Sequence, residues 1–288
     1  MIEREITVLI TGCLGFIGSR FTEKSLELGW KVIGVDSCTY AANLGLIESF
    51  SKNENFLFIK EKIEDLRKIP HCDFIVNFAA ESHVENSIGN SDSFIMSNIL
   101  GVQNLLKLIL QKPKNSNFRP KLIHISTDEV YGDIDDGEFF ETDILNPSNP
   151  YSASKAAGDM LVTAWCRTHG VSYNIIRPTN NYGIRQHYEK LIPLCVRNLK
   201  RGAKIFAHNN GEPYRNWLYV DDTVRGIFTI MKTGSENEIY NIAGGYEQKN
   251  IDVIKKIIKS FDKSLDPDDI ISFGENRIGQ DTRYAVND

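Results

Sequence analysis

The chain has 288 residues, of which 33 are Lys or Arg and 38 are Asp or Glu, and its formal net charge is −5. With 41% hydrophobic and 25% charged residues it has the composition of a globular protein, which excludes a disordered, collagenous or coiled-coil chain. The mild negative charge argues against a nucleic-acid-binding protein, because such proteins usually present a basic face to phosphates.

The sequence shows no signal for a membrane or for secretion. No apolar run approaches the roughly 18 residues of a membrane span. Glu3, Arg4 and Glu5 precede a short apolar run, unlike the start of a secretory signal. The five cysteines are widely spaced and form no C-x-x-C motif, which indicates reduced thiols and no metal site. We therefore expect a cytoplasmic protein that contacts neither membrane nor nucleic acid.

The first part of the chain alternates short apolar runs with helical stretches. The predicted strands are Ile6–Thr11, Lys31–Val35, Phe56–Ile59, Phe74–Asn77, Lys121–Ser126 and Ser172–Arg177. The predicted helices cover about 16–28, 91–111 and 151–169. Because strands that alternate with helices pair in parallel through right-handed crossovers, the pattern predicts an α/β fold with a doubly wound parallel sheet.

The elements become shorter after residue 180. Helices are predicted near 189–200, 220–232 and 251–261, with a strand near Ile205. We expect a first domain over residues 1–180 and a smaller C-terminal lobe over 181–288, with some exchange of segments between them.

A glycine-rich turn follows the first predicted strand. Gly12, Gly15 and Gly18 allow a tight turn and the close approach of a pyrophosphate, whose charge the following helix N-terminus favours. Asp36 ends the second predicted strand, where a carboxylate accepts hydrogen bonds from a ribose 2′-hydroxyl and repels a 2′-phosphate. Together these residues predict a Rossmann-type domain that binds NAD rather than NADP. We interpret Cys13, between the glycines, as a packing residue.

Tyr151 and Lys155 form a Y-x-x-x-K motif at the start of a predicted helix. Their spacing places both on one helix face, so that the ammonium group is expected to lower the tyrosine pKa from about 10. Such a tyrosine can remove an alcohol proton while a hydride leaves for a nicotinamide. His124 lies inside a predicted strand and is expected to be a core residue.

The glycine turn and the Y-x-x-x-K motif resemble the extended short-chain dehydrogenase/reductase superfamily, whose members act on nucleotide sugars. The segment Ser126–Gly132 (STDEVYG) resembles the dTDP-glucose 4,6-dehydratases. Further segments that resemble that family are Thr39–Ala41, Ala79–Val84, Tyr151–Lys155, Asn180–Gly183, Glu189–Pro193 and Trp217–Val220. The resemblance covers essentially the whole chain and stops at Arg283–Ala285, where family members continue, so we expect a truncated or unusually short sequence.

The resemblance implies a lyase that uses NAD to convert a nucleotide hexose into its 4-keto-6-deoxy form. Dehydration needs an acid and a base beyond the tyrosine, and Asp128 and Glu129 supply two carboxylates at a strand end. In the implied roles, Tyr151 takes the C4 hydroxyl proton, Glu129 removes the C5 proton and Asp128 protonates the leaving 6-hydroxyl. Thr127 hydrogen-bonds the sugar, and Lys155 holds the nicotinamide ribose and tunes Tyr151.

The resemblance also implies two sets of binding residues. The cofactor set is Gly12, Gly15, Phe16, Ile17, Gly18, Asp36, Thr39, Ile63, Ala79, Ala80, Ser97, Tyr151, Lys155 and Asn181. The substrate set is Ser82, Thr127, Asn180, Lys190, Leu191, Arg215, Asn250 and Arg277. A diphosphate needs cations, which Lys190 and Arg215 can provide. The superfamily pairs through two long helices, so we expect a homodimer through about 91–111 and 151–169.

Several residues depart from the pattern of that family. They are Lys62, Phe206, Ala207, His208, Asn216, Ile278 and Gln280. The changes fall mainly in the residues that recognise the nucleotide base, so dTDP-glucose and UDP-glucose both remain open as substrates. A C4 epimerase or a UDP-glucuronate decarboxylase is a further alternative, although neither expels a 6-hydroxyl and so neither needs Asp128. A regulatory protein on this fold would typically lack Tyr151 or Lys155.

Overall fold

The computed structural model describes residues 5–111, 119–274, 279 and 281–288. The strands, in chain order, are β1 Thr7–Thr11, β2 Lys31–Asp36, β3 Phe56–Lys60, β4 Phe74–Asn77, β5 Lys121–Ile125, β6 Tyr173–Pro178, β7 Asn180–Tyr182, β8 Ile205–Ala207, β9 Tyr214–Tyr219, β10 Glu238–Ile242, β11 Glu247–Lys249 and β12 Ile271–Phe273. The helices are α1 Phe16–Glu27, α2 Gly45–Ser51, α3 Val84–Gly89, α4 Asp92–Leu110, α5 Pro150–His169, α6 Leu191–Lys200, α7 Val220–Thr233, α8 Asn250–Phe261 and α9 Pro267–Ile270.

Seven strands form one parallel sheet in the order β10-β6-β5-β4-β1-β2-β3. The direction of winding reverses between β1 and β4, which is where open α/β sheets place their ligands, outside the carboxyl ends of the strands. This arrangement confirms the predicted doubly wound α/β fold. The predicted strands agree with the observed ones to within one residue at each end.

Helices cover both faces of the sheet, because successive strand residues point to opposite sides. On one side, Leu9 of β1 belongs to a core that includes Leu105 and Ile109 of α4 and Val162 of α5. On the other side, Val8 and Ile10 join a core with Phe21 of α1 and Ile227 of α7. Burying each of these large side chains contributes about 1.5–3 kcal/mol. The strand ends above these cores are therefore held rigidly.

The C-terminal part adds two small sheets, β11-β9-β7 and β12-β8. Helices α6 and α8 pack there around Cys195, Ile205 and Ile258. Strand β10 returns to the edge of the large sheet beside β6. We propose that the chain divides near residue 180 into domains 1–180 and 181–288, with α7 and β10 as the exchanged segments.

Helix α4 contains a π-helical stretch over Ile95–Gly101. Its mean hydropathy of 1.4 makes it the one helix in the described ranges that is long and apolar enough to cross a membrane by length and composition alone. Leu105, Leu106 and Ile109 of this helix are nevertheless almost fully buried against the sheet, as in the core helix of a globular protein. No disulfide joins any of the five cysteines, all of which lie in the described ranges.

Candidate active site

The glycine turn after β1 lies against the loop that follows β4. Gly12 has φ +67°, and a Cβ placed on it would lie 2.8 Å from the backbone nitrogen of Ala79. A Cβ on Gly18 would lie 2.1 Å from the carbonyl oxygen of Gly12. Both positions therefore require glycine. The N-terminus of α1 opens beside this turn and directs N–H groups to where a pyrophosphate can bind.

Asp36 sits at the end of β2 and is only 8% exposed. Its Oδ2 accepts from the backbone N–H of Leu14 at 3.0 Å, and its Oδ1 accepts from that of Cys38 at 2.8 Å. Burial raises the pKa of this carboxyl, and the two backbone hydrogen bonds oppose the rise. Each oxygen keeps a further lone pair, so the carboxylate can still accept from ribose hydroxyls.

A first cleft runs along these strand ends, and its lining fits a dinucleotide. The predicted cofactor residues that line it are Gly12, Gly15, Asp36, Thr39, Ile63, Ala79, Ala80 and Ser97. Lys62 also lines this cleft. Phe16, Ile17 and Gly18 lie in the first turn of α1, and Asn181 lines a second cleft instead. Cys13 is fully buried in the core, as predicted for a packing residue.

The second cleft lies between the large sheet and the C-terminal lobe. Five predicted substrate residues line it, namely Asn180, Lys190, Leu191, Arg215 and Asn250. Ser82 is not among the residues that line the cleft, but its carbonyl oxygen accepts a hydrogen bond from Lys190 Nζ at 3.2 Å. Three departures from the family pattern, Phe206, Ala207 and His208, also line this cleft. Arg277, Ile278 and Gln280 lie outside the described residues.

Thr127, Asp128 and Glu129 follow β5 and begin a 3₁₀ turn over Asp128–Tyr131. Thr127 Oγ1 accepts from the Glu129 N–H at 3.3 Å and donates to Asp128 Oδ1 at 3.2 Å. Asp128 is 2% exposed, and burial together with the neighbouring Glu129 charge raises its pKa to about 7. Its Oδ2 is buried and has no hydrogen-bond partner within the described part of the chain.

Glu129 lines the second cleft, where its surroundings shift its pKa in opposite directions. Burial raises its pKa, whereas the charges of Arg215 and Lys190 lower it. Ser152 Oγ lies 3.3 Å from Glu129 Oε2, and the hydroxyl of Tyr284, which also contacts Asp281, lies 3.4 Å from the same oxygen. These contacts hold the carboxylate toward the cleft.

Tyr151 and Lys155 lie at the start of α5, and both are buried. Lys155 Nζ donates to the carbonyl oxygen of Ile125 at 2.7 Å. Burial lowers the pKa of Lys155 to about 8, opposed by the charge of Asp159. The expectation of a lowered Tyr151 pKa is wrong: burial, and then the Glu129 charge, raise the pKa of Tyr151 above its usual value.

A buried polar chain beneath the site was not predicted. Asn77 Nδ2 lies 3.1 Å from His124 Nδ1, and His124 Nε2 lies 3.6 Å from Asp159 Oδ1. Arg177 donates from Nε to Asp159 Oδ2 at 3.0 Å and from Nη1 to the Tyr131 hydroxyl at 2.6 Å. His124 is 1% exposed, which confirms it as a core residue. The chain crosses β4, β5, α5 and β6 and supports the helix that carries Lys155.

Tyr284 is a site residue that the sequence reasoning did not identify. Its hydroxyl contacts both Glu129 and Asp281, and the Arg215 guanidinium lies 4.6 Å from the centre of its ring. In the sequence, Tyr284 lies within Arg283–Ala285, the last segment that resembles the dTDP-glucose 4,6-dehydratases, and this was the one signal that could have identified it. In the described ranges, no group of three or more His, Cys, Asp or Glu side chains could hold a metal ion.

The family described as the NAD dependent epimerase/dehydratase family matches residues 8–243. The chain belongs to this family. The low-salt glycan biosynthesis protein Agl12 of Haloferax volcanii is 39% identical, over 97% of this chain and 89% of that protein. The dTDP-glucose 4,6-dehydratase of Haemophilus influenzae is 37% identical, over 98% of this chain and 90% of that enzyme.

Solved structures give the same result. The crystal structure of a dTDP-glucose 4,6-dehydratase from Streptomyces venezuelae, with NAD bound, superimposes with a TM-score of 0.91 and 37% identity. The match covers 98% of this chain and 88% of that chain. These comparisons confirm that the chain resembles the dTDP-glucose 4,6-dehydratases.

Proposed function

We propose that this protein is an NAD-dependent nucleotide-sugar 4,6-dehydratase that converts dTDP-glucose, or a related nucleotide hexose, into the 4-keto-6-deoxy sugar and water. The observation that carries the proposal is the pair of adjacent carboxylates, Asp128 and Glu129, beside Tyr151. Asp128 is protonated in substantial part near neutral pH, and Glu129 lies next to the cations Arg215 and Lys190. That is the acid and base set that loss of water requires.

The first cleft is the proposed NAD site. The glycine turn and the N-terminus of α1 receive the pyrophosphate, and Asp36 accepts from the ribose and disfavours NADP. When bound, NAD takes a hydride from C4 of the sugar, contributes a positive charge that favours the Tyr151 phenolate, and returns the hydride to C6. Lys155, which is buried one helical turn after Tyr151, would hold the nicotinamide ribose.

The residues that follow β5 and those at the start of α5 would carry out the proton transfers. Tyr151 receives the C4 hydroxyl proton, and Thr127 hydrogen-bonds the sugar near that position. Glu129 then removes the proton from C5, which the neighbouring 4-ketone makes acidic. Asp128 donates its proton to the departing 6-hydroxyl, for which a pKa of about 7 is well suited. Glu129 returns a proton to C5 when the C6 carbon is reduced.

Arg215 and Lys190 are the proposed partners of the substrate diphosphate. Both line the second cleft, and Arg215 is 8% exposed, so its charge acts in a poorly solvated environment. Phe206, Ala207 and His208 line the same cleft and would contact the nucleotide base. Thymidine and uridine substrates therefore both remain candidates.

Asp128 also favours dehydration over the alternatives in the superfamily. A C4 epimerase or a decarboxylase expels no hydroxyl from C6, so neither needs a buried, partly protonated carboxyl at this position. The unpartnered Oδ2 of Asp128, which finds no donor or acceptor in the described ranges, is the atom that would act on the leaving group.

We further propose a homodimer that works in the cytoplasm. The apolar side chains of Ile95, Met96 and Leu100 on α4 are 44%, 44% and 40% exposed, and Met160 on α5 is 63% exposed. Adjacent exposed apolar residues on two packed helices are typical of a protein interface. Pairing of α4 and α5 with those of a second copy would cover these side chains.

The direct experiment is incubation of the protein with a panel of dTDP- and UDP-hexoses. Formation of a 4-keto-6-deoxy product is followed by its absorbance in alkali and by the loss of water in its mass. Asp128→Asn serves as the matched control, because it keeps the shape of the side chain and removes the acid. A 4-epimer formed without loss of water would contradict the proposal and favour the epimerase.

A further inference from the structure

Asn149 lies at the point where the substrate cleft meets the N-terminus of α5. It is the N-cap residue of that helix and is 6% exposed. Its Oδ1 accepts from the backbone N–H of Ser152 at 3.0 Å and lies 3.1 Å from Ser152 Oγ. Because a backbone N–H can only donate, the amide oxygen must face the helix. The orientation of the amide is thereby fixed, and Nδ2 points away from the helix.

That Nδ2 is a buried donor with no acceptor in the part of the chain that the structure describes. Leaving such a group unsatisfied costs about 1–3 kcal/mol, and native proteins keep few of them. Asn149 lines the second cleft together with Gln186, Trp217 and Asn250. Each of these side chains also has a buried polar atom without a partner among the described residues. Four of the buried polar atoms without a partner in the described ranges thus belong to side chains that line the space that the substrate would occupy.

The neighbours of Asn149 include the residues that are proposed to act on the sugar. Ser152 donates its backbone N–H to Asn149 Oδ1, and its hydroxyl, which has a single proton, lies 3.1 Å from Asn149 Oδ1 and 3.3 Å from Glu129 Oε2. Asn149 is therefore one side chain away from the proposed C5 base, and it directly precedes Pro150 and Tyr151. The proposed diphosphate cations, Arg215 and Lys190, reach the cleft from β9 and from the residue before α6.

We propose that Asn149 Nδ2 donates a hydrogen bond to an oxygen of the hexose ring or of its hydroxyl groups, which makes Asn149 a substrate-binding residue. The inference rests on the proposed function, since it assumes a nucleotide hexose in the second cleft. The same side chain holds α5 in place through Oδ1 and orients the sugar through Nδ2. It thus connects the position of the substrate to the helix that carries Tyr151.

Two substitutions separate these two tasks. Asn149→Ser keeps an N-cap oxygen of similar capping strength and removes the amide donor. Asn149→Asp keeps the cap and replaces the donor with a carboxylate oxygen, which repels an acceptor. Melting temperatures of both variants should stay close to that of the unmodified protein. Loss of a neutral hydrogen bond corresponds to roughly 3–10-fold in affinity, and the carboxylate should cost about 10-fold or more.

The measurement is calorimetric titration of NAD-loaded protein carrying Tyr151→Phe, which blocks turnover, with dTDP-glucose and, separately, with dTDP, which lacks the hexose. We expect both variants to bind dTDP-glucose more weakly. Asn149→Ser should leave the affinity for dTDP and for NAD unchanged, and Asn149→Asp, which adds a charge, should lose more affinity for dTDP-glucose than for dTDP. Unchanged dTDP-glucose affinity in both variants would overturn the inference and leave Asn149 as a helix cap only. An equal loss for dTDP would overturn the assignment to the hexose and place the donor at the diphosphate. Failure of the unmodified protein to bind any nucleotide hexose would instead contradict the proposed function, and the inference with it.

Discussion

Asp159 Oδ2 lies 3.0 Å from Arg177 Nε, and both side chains are about 2% exposed, so the two form a buried ion pair directly beneath the active site. Asp159 follows Lys155 by one turn of α5, on the same helix face. Its charge opposes the lowering of the Lys155 pKa by burial. Tyr151, Asp128 and Glu129 face the same region, whereas His124 is kept neutral because burial lowers its pKa.

Replacing Asp159 with Asn should therefore lower the Lys155 pKa below its value of about 8. Lys155 is charged below its pKa, so a lower pKa means that its charge is lost at a lower pH. We expect the alkaline limb of the pH dependence of kcat/KM to move to lower pH by on the order of one unit. The protein will also be less stable, since Arg177 loses its partner. Asp252→Asn on the exposed face of α8 is the control, and an unmoved alkaline limb in a folded Asp159→Asn protein would refute this link.

Cofactor choice should depend on Asp36. We expect the unmodified protein to bind NAD far more tightly than NADP, because a buried carboxylate would face the 2′-phosphate. Asp36→Asn removes the charge and keeps one oxygen that can accept from the backbone N–H groups of Leu14 and Cys38. The substitution should therefore lower the ratio of NAD affinity to NADP affinity by about 10-fold or more. Calorimetric titration with each cofactor measures both effects. Comparable affinities in the unmodified protein would contradict the assignment of Asp36.

The exposed apolar faces of α4 and α5 predict the quaternary structure. The protein should be a homodimer at micromolar concentration by light scattering. Leu100→Glu and Met160→Glu should shift it toward the monomer, because each buries a charge in the interface. Leu57 on β3 is 56% exposed and lies away from these helices, so Leu57→Glu is the matched control. A monomeric unmodified protein, or a dimer that both substitutions leave intact, would count against this interface.

The protonation of Asp128 should appear in the elimination step. Because burial and Glu129 raise its pKa to about 7, the carboxyl is protonated below this pH and can act as the acid. The rate of water loss in single turnover should therefore fall as the pH rises through about 7. Glu129→Asp keeps the negative charge beside Asp128, so the rate of water loss should still fall as the pH rises through about 7. Glu129→Gln removes that charge, so the pKa of Asp128 should fall and the loss of rate should begin at lower pH. A rate of water loss that does not change between pH 6 and 8 would exclude Asp128 as the acid.

Much of the fold could be predicted because it depends on local patterns. Apolar runs such as those of β1 and β4 are short, continuous and separated by helical stretches, so their parallel pairing followed from the alternation alone. The short strands of the C-terminal lobe carry no such pattern. Strand β7 has three partly exposed residues, and its pairing with β9 depends on tertiary contacts.

The site was predictable only where a motif marked it. Asp36, Asp128 and Tyr151 stand at strand ends or helix starts within recognisable segments, and the structure brings Asp128 and Tyr151 together. Tyr284 and Asn149 line the cleft because of the tertiary fold of the chain, which no local sequence pattern predicts. The lowered Tyr151 pKa was expected from the Lys155 charge alone, and the expectation is wrong because burial and the charges of Glu129, Asp128 and Asp159 raise this pKa.

The central claim is that C4 oxidation and water loss use different residues, and single-turnover measurement of reduced cofactor tests it most directly. NAD-loaded protein is mixed with dTDP-glucose, and the absorbance of NADH is followed together with the product mass. Asp128→Asn and Glu129→Gln should form NADH while water loss slows by about 10²–10⁴-fold, because Tyr151 remains to take the C4 proton. Tyr151→Phe should form none. Wild-type rates of water loss in Asp128→Asn would contradict the account and move the epimerase ahead of the dehydratase.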